Sequence, residues 1–278
     1  MAENADLVVL ERSEDTSVTV HLHGATVTSW KCGGQEMIFV SKQAVYDNKK
    51  AIRGGIPVVF PNFGPWDLGP QHGFARISRW TLSQSPTKDS NGDVSAVLAL
   101  EDTDNTRKMW NHKFKVTYTL TLKQCEFQMD FAVENTGPDE FDFTCLLHTY
   151  FHVPDVTKTT ISGLKGLQYS DKVRDGQTFT EDRDLVSLAE NYDRVYINTP
   201  PDHTISNVTA GKNILLKKSN FPDTVVWNPW MEKAKAMSDF GDDEYPNMLC
   251  VEAGYVTSRY KLSPSDKFEA SQTLTVTQ

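Results

Sequence analysis

Apolar and polar positions alternate along most of this chain. In SVTVHLH (17–23) the apolar side chains fall at Val18, Val20 and Leu22, a period of two that predicts a strand with one buried face. ATVTSW (25–30) follows Gly24, so the two segments predict strands joined at a tight glycine bend. Further β-rich runs occupy 94–100, 114–122, 127–133, 141–148 and 268–276, with turn clusters such as SNGD (90–93) and NTGPD (135–139) between them. Helical signal is thin: DNTRKMW (104–110) and DRDLVSLAE (182–190) each predict a short helical turn or two. Many short strands without alternating helices predict an all-β sandwich or barrel. No repeat, low-complexity tract or linker divides the chain, so residues 1–278 are expected to form one domain. The long loop around WDLGPQ (66–71) is expected to carry function at one rim.

Composition narrows the functional classes. Hydrophobic residues make up 38% and aromatics 10%, enough for a sizeable core and too many for a disordered chain. A net charge of −9 argues against a nucleic-acid partner, although it leaves room for a local basic pocket that takes a small anion. Cys32, Cys125, Cys145 and Cys250 form no CxxC pair and sit beside apolar sequence, so buried free thiols are expected rather than a disulfide framework. No run is long enough to span a membrane, and MAENAD at the start carries no secretory pattern. A reducing, cytoplasmic location fits, and the Asn207-Val-Thr sequon is then idle.

Phosphate-loop, dinucleotide and nucleophile-elbow motifs are absent. His21 and His23 share a strand face without a third ligand at metal spacing, which points to a solvated face rather than a metal. His148 and His152 also share a face, but no HExxH pattern accompanies them. His148 ends an apolar strand beside Tyr150 and Phe151, so it is expected to be partly desolvated and able to move a proton near neutral pH; a core histidine bonded to a carbonyl is the alternative. Glu252 sits in the apolar run MLCVEAGY, where burial would raise its pKa and suit it to general-base work unless an ion pair explains it. Asp193 in NYDRVY is weaker, since such neighbours are common on solvated surfaces. Arg53 and Arg76, in RGGIPVVFP (53–61) and QHGFAR (71–76), sit beside glycines and apolar backbone, an arrangement expected to grip an anion. WNPW (227–230) reads either as an aromatic sugar platform or as a buried turn.

RGGIPVVFP, QHGFAR, LHTYF (147–151), DTVVWNPW (223–230) and VEAG (251–254) together resemble the aldose 1-epimerases, closest to their glucose-6-phosphate 1-epimerase branch. Five separated motifs in order, over nearly the whole chain, carry the resemblance. It implies a large twisted antiparallel β-sandwich with few short helices, and a cofactor-free, metal-free exchange of α and β anomers of a hexose 6-phosphate. It also implies His148 as general acid and Glu252 as general base, with Arg53, Gln71 and Arg76 at sugar-phosphate positions, Asp193 on a sugar hydroxyl and His72 lining the pocket. Gly54 and Gly55 would let backbone approach the anion. His152 has no implied role. A mutarotase for unphosphorylated sugars and a non-catalytic carbohydrate-binding protein are the alternatives, and a monomer is expected.

Overall fold

The computed structural model describes residues 5–278, which form three antiparallel sheets. A four-stranded sheet runs Leu7–Ser13, Thr16–His21, Thr26–Cys32, Gln35–Glu36. The sheet that carries the site has the order Gln177–Thr180, Gln168–Asp171, Tyr192–Tyr196, Asp223–Asn228, Met248–Leu262, Phe141–Leu147, Val58–Val59, with Tyr150–His152 also paired to Met248–Leu262. The third has the order Thr160–Ile161, Asp202–Ser206, Asn213–Ser219, Lys267–Thr277, Glu126–Asn135, Phe114–Leu122, Val94–Glu101, Thr81–Lys88. The all-β architecture expected from the alternation and the antiparallel sheets implied by the resemblance are the ones observed.

Period-two burial explains the pairing. Along Phe114–Leu122 every second residue is buried, and Phe114, Val116, Tyr118, Leu120 and Leu122 share one core cluster with Phe127, Met129, Phe131 and Val133 of the next strand. Each such side chain removed from water contributes about 1.5–3 kcal/mol, so a one-residue slip in register would expose the whole row. Under the site, Phe60 is ringed by Phe74, Trp110, Phe114, Phe131 and Phe143 at centroid distances of 5.4–6.4 Å. Through Phe60 and Phe74 this cluster fixes both ends of the loop that supplies Gln71 and His72.

Several local expectations are corrected. Residues 182–190 form no helix: Val186 bridges Ile161, while Val186 and Leu188 are buried and Leu185 is 55% exposed, a strand-like alternation. The other predicted turn is real, with Asp104–Met109 capped by Thr103 through a reciprocal bond to Thr106. WNPW opens a helix, Trp230–Ala236, rather than closing a turn. His21 and His23 are buried, not solvated; His21 Nδ1 accepts the His23 amide at 3.0 Å and His23 Nε2 pairs with the Lys50 carbonyl at 2.8 Å. Cys32, Cys145 and Cys250 are buried as expected, but Cys125 is exposed. Among the described residues no helix is long and apolar enough to cross a membrane.

Candidate active site

His148, Glu252, Arg53, Gln71, His72, Arg76 and Asp193 all line one cavity of about 490 Å³, a size typical of small-molecule sites, which run from about 300 to 1,000 Å³. A larger groove of about 570 Å³, around Asn198, Phe221 and Tyr255, lies further along the same strands and contains no histidine–carboxylate pair.

Register puts the acidic groups together. Asp193 pairs with Trp227, which pairs with Cys250, and in the adjoining row Val195 pairs with Val225 and Val225 with Glu252. Residues two apart on a strand share a face, so Asp193, Trp227, Cys250 and Glu252 look the same way. His148 arrives where its strand breaks: Leu147 pairs with Ala253, whereas Tyr150 pairs with Cys250. At that kink Thr149 turns into the core and accepts a bond from Gln272 at 2.9 Å, leaving His148 to face the cavity.

RGGIPVVFP supplies the wall that holds this kink. The Pro57 carbonyl accepts the His148 amide at 3.0 Å and the Gly55 carbonyl accepts the Tyr150 amide at 2.9 Å. The glycines serve chain packing rather than approach to an anion. A Cβ on Gly54 would come 2.5 Å from Val40 Cα, and one on Gly55 would come 2.2 Å from the Val27 carbonyl oxygen, with φ values of 116° and 74°.

His148 Nδ1 lies 3.3 Å from Glu252 Oε1, yet the two are not aligned as a hydrogen bond, and among the described residues Nδ1 and both Glu252 oxygens have no hydrogen-bond partner. Both side chains are buried, His148 8% and Glu252 1% exposed. Buried polar atoms are nearly always paired, so three orphans facing one cavity call for a ligand. Burial first, then Asp193, pushes Glu252 well above the usual carboxylate range, while Lys172 and Arg76 oppose this. Burial, followed by His72, Arg76 and Arg53, holds His148 well below the usual imidazole range. His148 stacks on Tyr150 with centroids 4.7 Å apart and meets Trp227 edge-on at 5.9 Å, which fixes its plane.

His72 is locked as well. Its Nδ1 accepts the Gly64 amide at 3.1 Å, and burial, with Arg76, Lys172 and Arg53 adding to it, pulls its pKa down to about 3. The ring is therefore neutral with its proton on Nε2. Gln71 Nε2 lies 3.4 Å from that nitrogen. Two N–H groups cannot bond each other, so the amide oxygen of Gln71 belongs on that side.

Among the described residues four cations line the cavity. Arg53 makes a two-pronged pair with Asp239, both contacts at 3.2 Å. Arg76 has no carboxylate partner among the described residues; one nitrogen donates to the Gln71 carbonyl at 2.9 Å and its Nε is orphaned. Burial holds Arg76 down to about 10. Lys172, whose ammonium sits 4.0 Å over the Phe63 ring, and Lys233 complete the set. Sequence reasoning missed both lysines, Asp239 and the wall residue Tyr150; surface lysines carry no local signal, and only the fold brings them to the cavity. Lys172 is placed by its neighbour Asp171, which accepts the Val173 amide at 3.0 Å and pairs with buried Arg194 at 3.1 Å. His152 bonds Thr209 at 3.0 Å outside the cavity. Trp227 lines the cavity wall and Trp230 does not.

A β-sandwich sheet whose face presents a buried histidine–carboxylate pair inside a basic cavity agrees with the resemblance carried by the motifs. The chain belongs to the aldose 1-epimerase family, a family of isomerases, whose profile matches residues 6–275. Among its relatives, a protein of Cenchrus ciliaris that carries the provisional name glucose-6-phosphate 1-epimerase is 36% identical over 268 residues, covering 94% of this chain and 82% of that one. A protein of Escherichia coli K12 with the same provisional name is 32% identical over 278 residues, covering 99% and 91%. The crystal structure of a Salmonella typhimurium protein, provisionally described as a mutarotase, superposes with a TM-score of 0.88 at 29% identity, covering 99% of this chain and 92% of that one.

Proposed function

We propose that the chain is a glucose-6-phosphate 1-epimerase, interconverting the α and β anomers of hexose 6-phosphates without a cofactor. The carrying observation is the unpartnered His148–Glu252 pair, 3.3 Å apart, in a cavity that also holds four cations. A neutral sugar needs the pair; only an anionic one needs the cations. On a chain of net charge −9, that local excess supports a phosphate-bearing substrate.

Glu252 takes the proton of the anomeric hydroxyl while His148 gives one to the ring oxygen. The bond from the anomeric carbon to the ring oxygen breaks and leaves an aldehyde and a hydroxyl. Rotation about the first carbon–carbon bond turns the other aldehyde face to that hydroxyl. Closure returns the ring-oxygen proton to His148 and the Glu252 proton to the anomeric oxygen. The step takes the pair from carboxylate and imidazolium to carboxylic acid and neutral imidazole, so its total charge stays at zero. Burial favours the neutral arrangement in the free protein, so charging the pair is a cost that substrate binding must offset before the ring opens. Arg76 grips the phosphate through its guanidinium donors, Arg53 reaches it with the nitrogen that Asp239 leaves free, Asp193 accepts a sugar hydroxyl, and Gln71 and the Nε2–H of His72 line the sugar's path.

Glu252→Gln tests the assignment. A positioned proton transfer contributes about 10²–10⁴-fold, so anomer exchange of glucose 6-phosphate is expected to fall by about that factor with the phosphate still bound. Undiminished exchange would remove Glu252 from the mechanism.

A further inference from the structure

Cys250 has no part in that proton transfer, yet its Sγ lies with one nitrogen of His148 and one oxygen of Glu252 in a group whose members are all within 4.8 Å of one another. Strand alternation places it there, two residues from Glu252 on the same face. Around a tetrahedral zinc ion, nitrogen and oxygen ligands at about 2.0–2.2 Å stand about 3.4 Å apart. His148 Nδ1 and Glu252 Oε1 are already 3.3 Å apart. Nδ1 and both carboxylate oxygens are buried with no hydrogen-bond partner among the described residues, so a cation would satisfy atoms that these residues leave bare. A nitrogen, a sulfur and an oxygen donor suit a borderline-soft divalent ion, not magnesium or calcium, which take oxygen cages. The fourth position would open to the cavity, where the anomeric oxygen is expected to sit.

We propose that His148, Cys250 and Glu252 form an inhibitory site for a thiophilic divalent cation, with Zn²⁺ as the probe. Binding breaks the Cys250 S–H bond and the O–H bond of the Glu252 carboxyl, forms metal–sulfur, metal–oxygen and metal–nitrogen bonds, and releases both protons to solvent, with no change of oxidation state. The occupied pair can no longer give or take a proton. The binding half stands on the three donors alone, while the inhibitory half rests on the function proposed above.

The whole chain is titrated with Co²⁺ as a spectroscopic stand-in and with Zn²⁺ in an exchange assay on glucose 6-phosphate. A thiolate-to-cobalt absorption band is expected in the wild type and in Cys125→Ser, which removes the exposed thiol. It is expected to vanish in Cys250→Ser and in Cys250→Ala. Zn²⁺ should abolish accelerated exchange in the wild type, a chelator should restore it, and Cys250→Ser should resist the same Zn²⁺ concentration. No band, or a band that survives both Cys250 substitutions, overturns the site. A Cys250-dependent band with exchange unaffected by Zn²⁺ overturns the inhibitory half. If the metal-free chain accelerates no exchange, the proposed function fails, while the band still decides the site.

Discussion

Arg76→Ala separates what this side chain does for folding from what it does for substrate. Arg76 is half-buried, has no carboxylate partner among the described residues, and burial holds its pKa at about 10. A depression of that size corresponds to about 3 kcal/mol of cost for keeping the ion in place at full desolvation. Its residual exposure reduces that to about 1–2 kcal/mol. Removing the charge relieves this cost, and the lost bond to the Gln71 carbonyl returns about 1 kcal/mol. The variant is therefore expected to melt no lower than the wild type, at about 2–4 °C per kcal/mol for a chain of this size. Binding should move the other way. A hydrogen bond to a charged group contributes about 1.5–3 kcal/mol, so KM for glucose 6-phosphate should rise about 10- to 150-fold. Any turnover of free glucose should keep its KM. Thermal melts and saturation curves on both sugars read these quantities. A lowered melting temperature with an unchanged KM would make Arg76 structural and would move the phosphate towards Lys172 and Lys233.

Further substitutions probe the rest of the site and its scaffold. Asp193→Asn should cost about 5- to 30-fold in kcat/KM through the lost sugar bond. It should also shift the ionisation of Glu252 to lower pH, because Asp193 is the second-largest influence raising it; a pH–rate profile unchanged in position would refute that coupling. Gly73→Ala should destabilise by at least about 2 kcal/mol, since its φ is 72° and a Cβ would come 2.2 Å from the Phe60 carbonyl oxygen; chemical denaturation measures it, and a neutral result would show that the loop shifts freely. Burial lowers His203 to about 4 and His72 to about 3. The unfolded chain therefore takes up these protons first, and stability is expected to fall as pH drops from about 6.5 towards 4. His203→Gln should flatten that slope in melts at several pH values, and an equal slope would assign it elsewhere.

Strand positions were readable because one-sided burial imposes a period of two, as in Phe114–Leu122. The same rule exposes the error at 182–190, where Val186 and Leu188 are buried by alternation although local composition suggests a helix. The two residues of the proposed acid–base pair stood out in the sequence because a carboxyl inside MLCVEAGY and a histidine at the end of FDFTCLLH contrast with apolar neighbours. Residues that act through the fold were not. The pairing of Arg53 with Asp239 spans 186 positions, and Lys172 and Lys233 reach the cavity from a turn and a short helix that sequence alone does not bring together. The glycines after Arg53 were visible, but their reason, the backbone of Val27, Phe39 and Val40 crossing against them, is a tertiary fact.

The central claim is tested most directly by NMR saturation transfer between the two anomeric protons of glucose 6-phosphate, with glucose and galactose measured in parallel. Exchange accelerated over buffer for the phosphate and not for the free sugars is the expected result. Acceleration confined to the free sugars would keep the His148–Glu252 chemistry and contradict the phosphate grip of Arg53 and Arg76, and no acceleration for any of the three would contradict catalysis altogether.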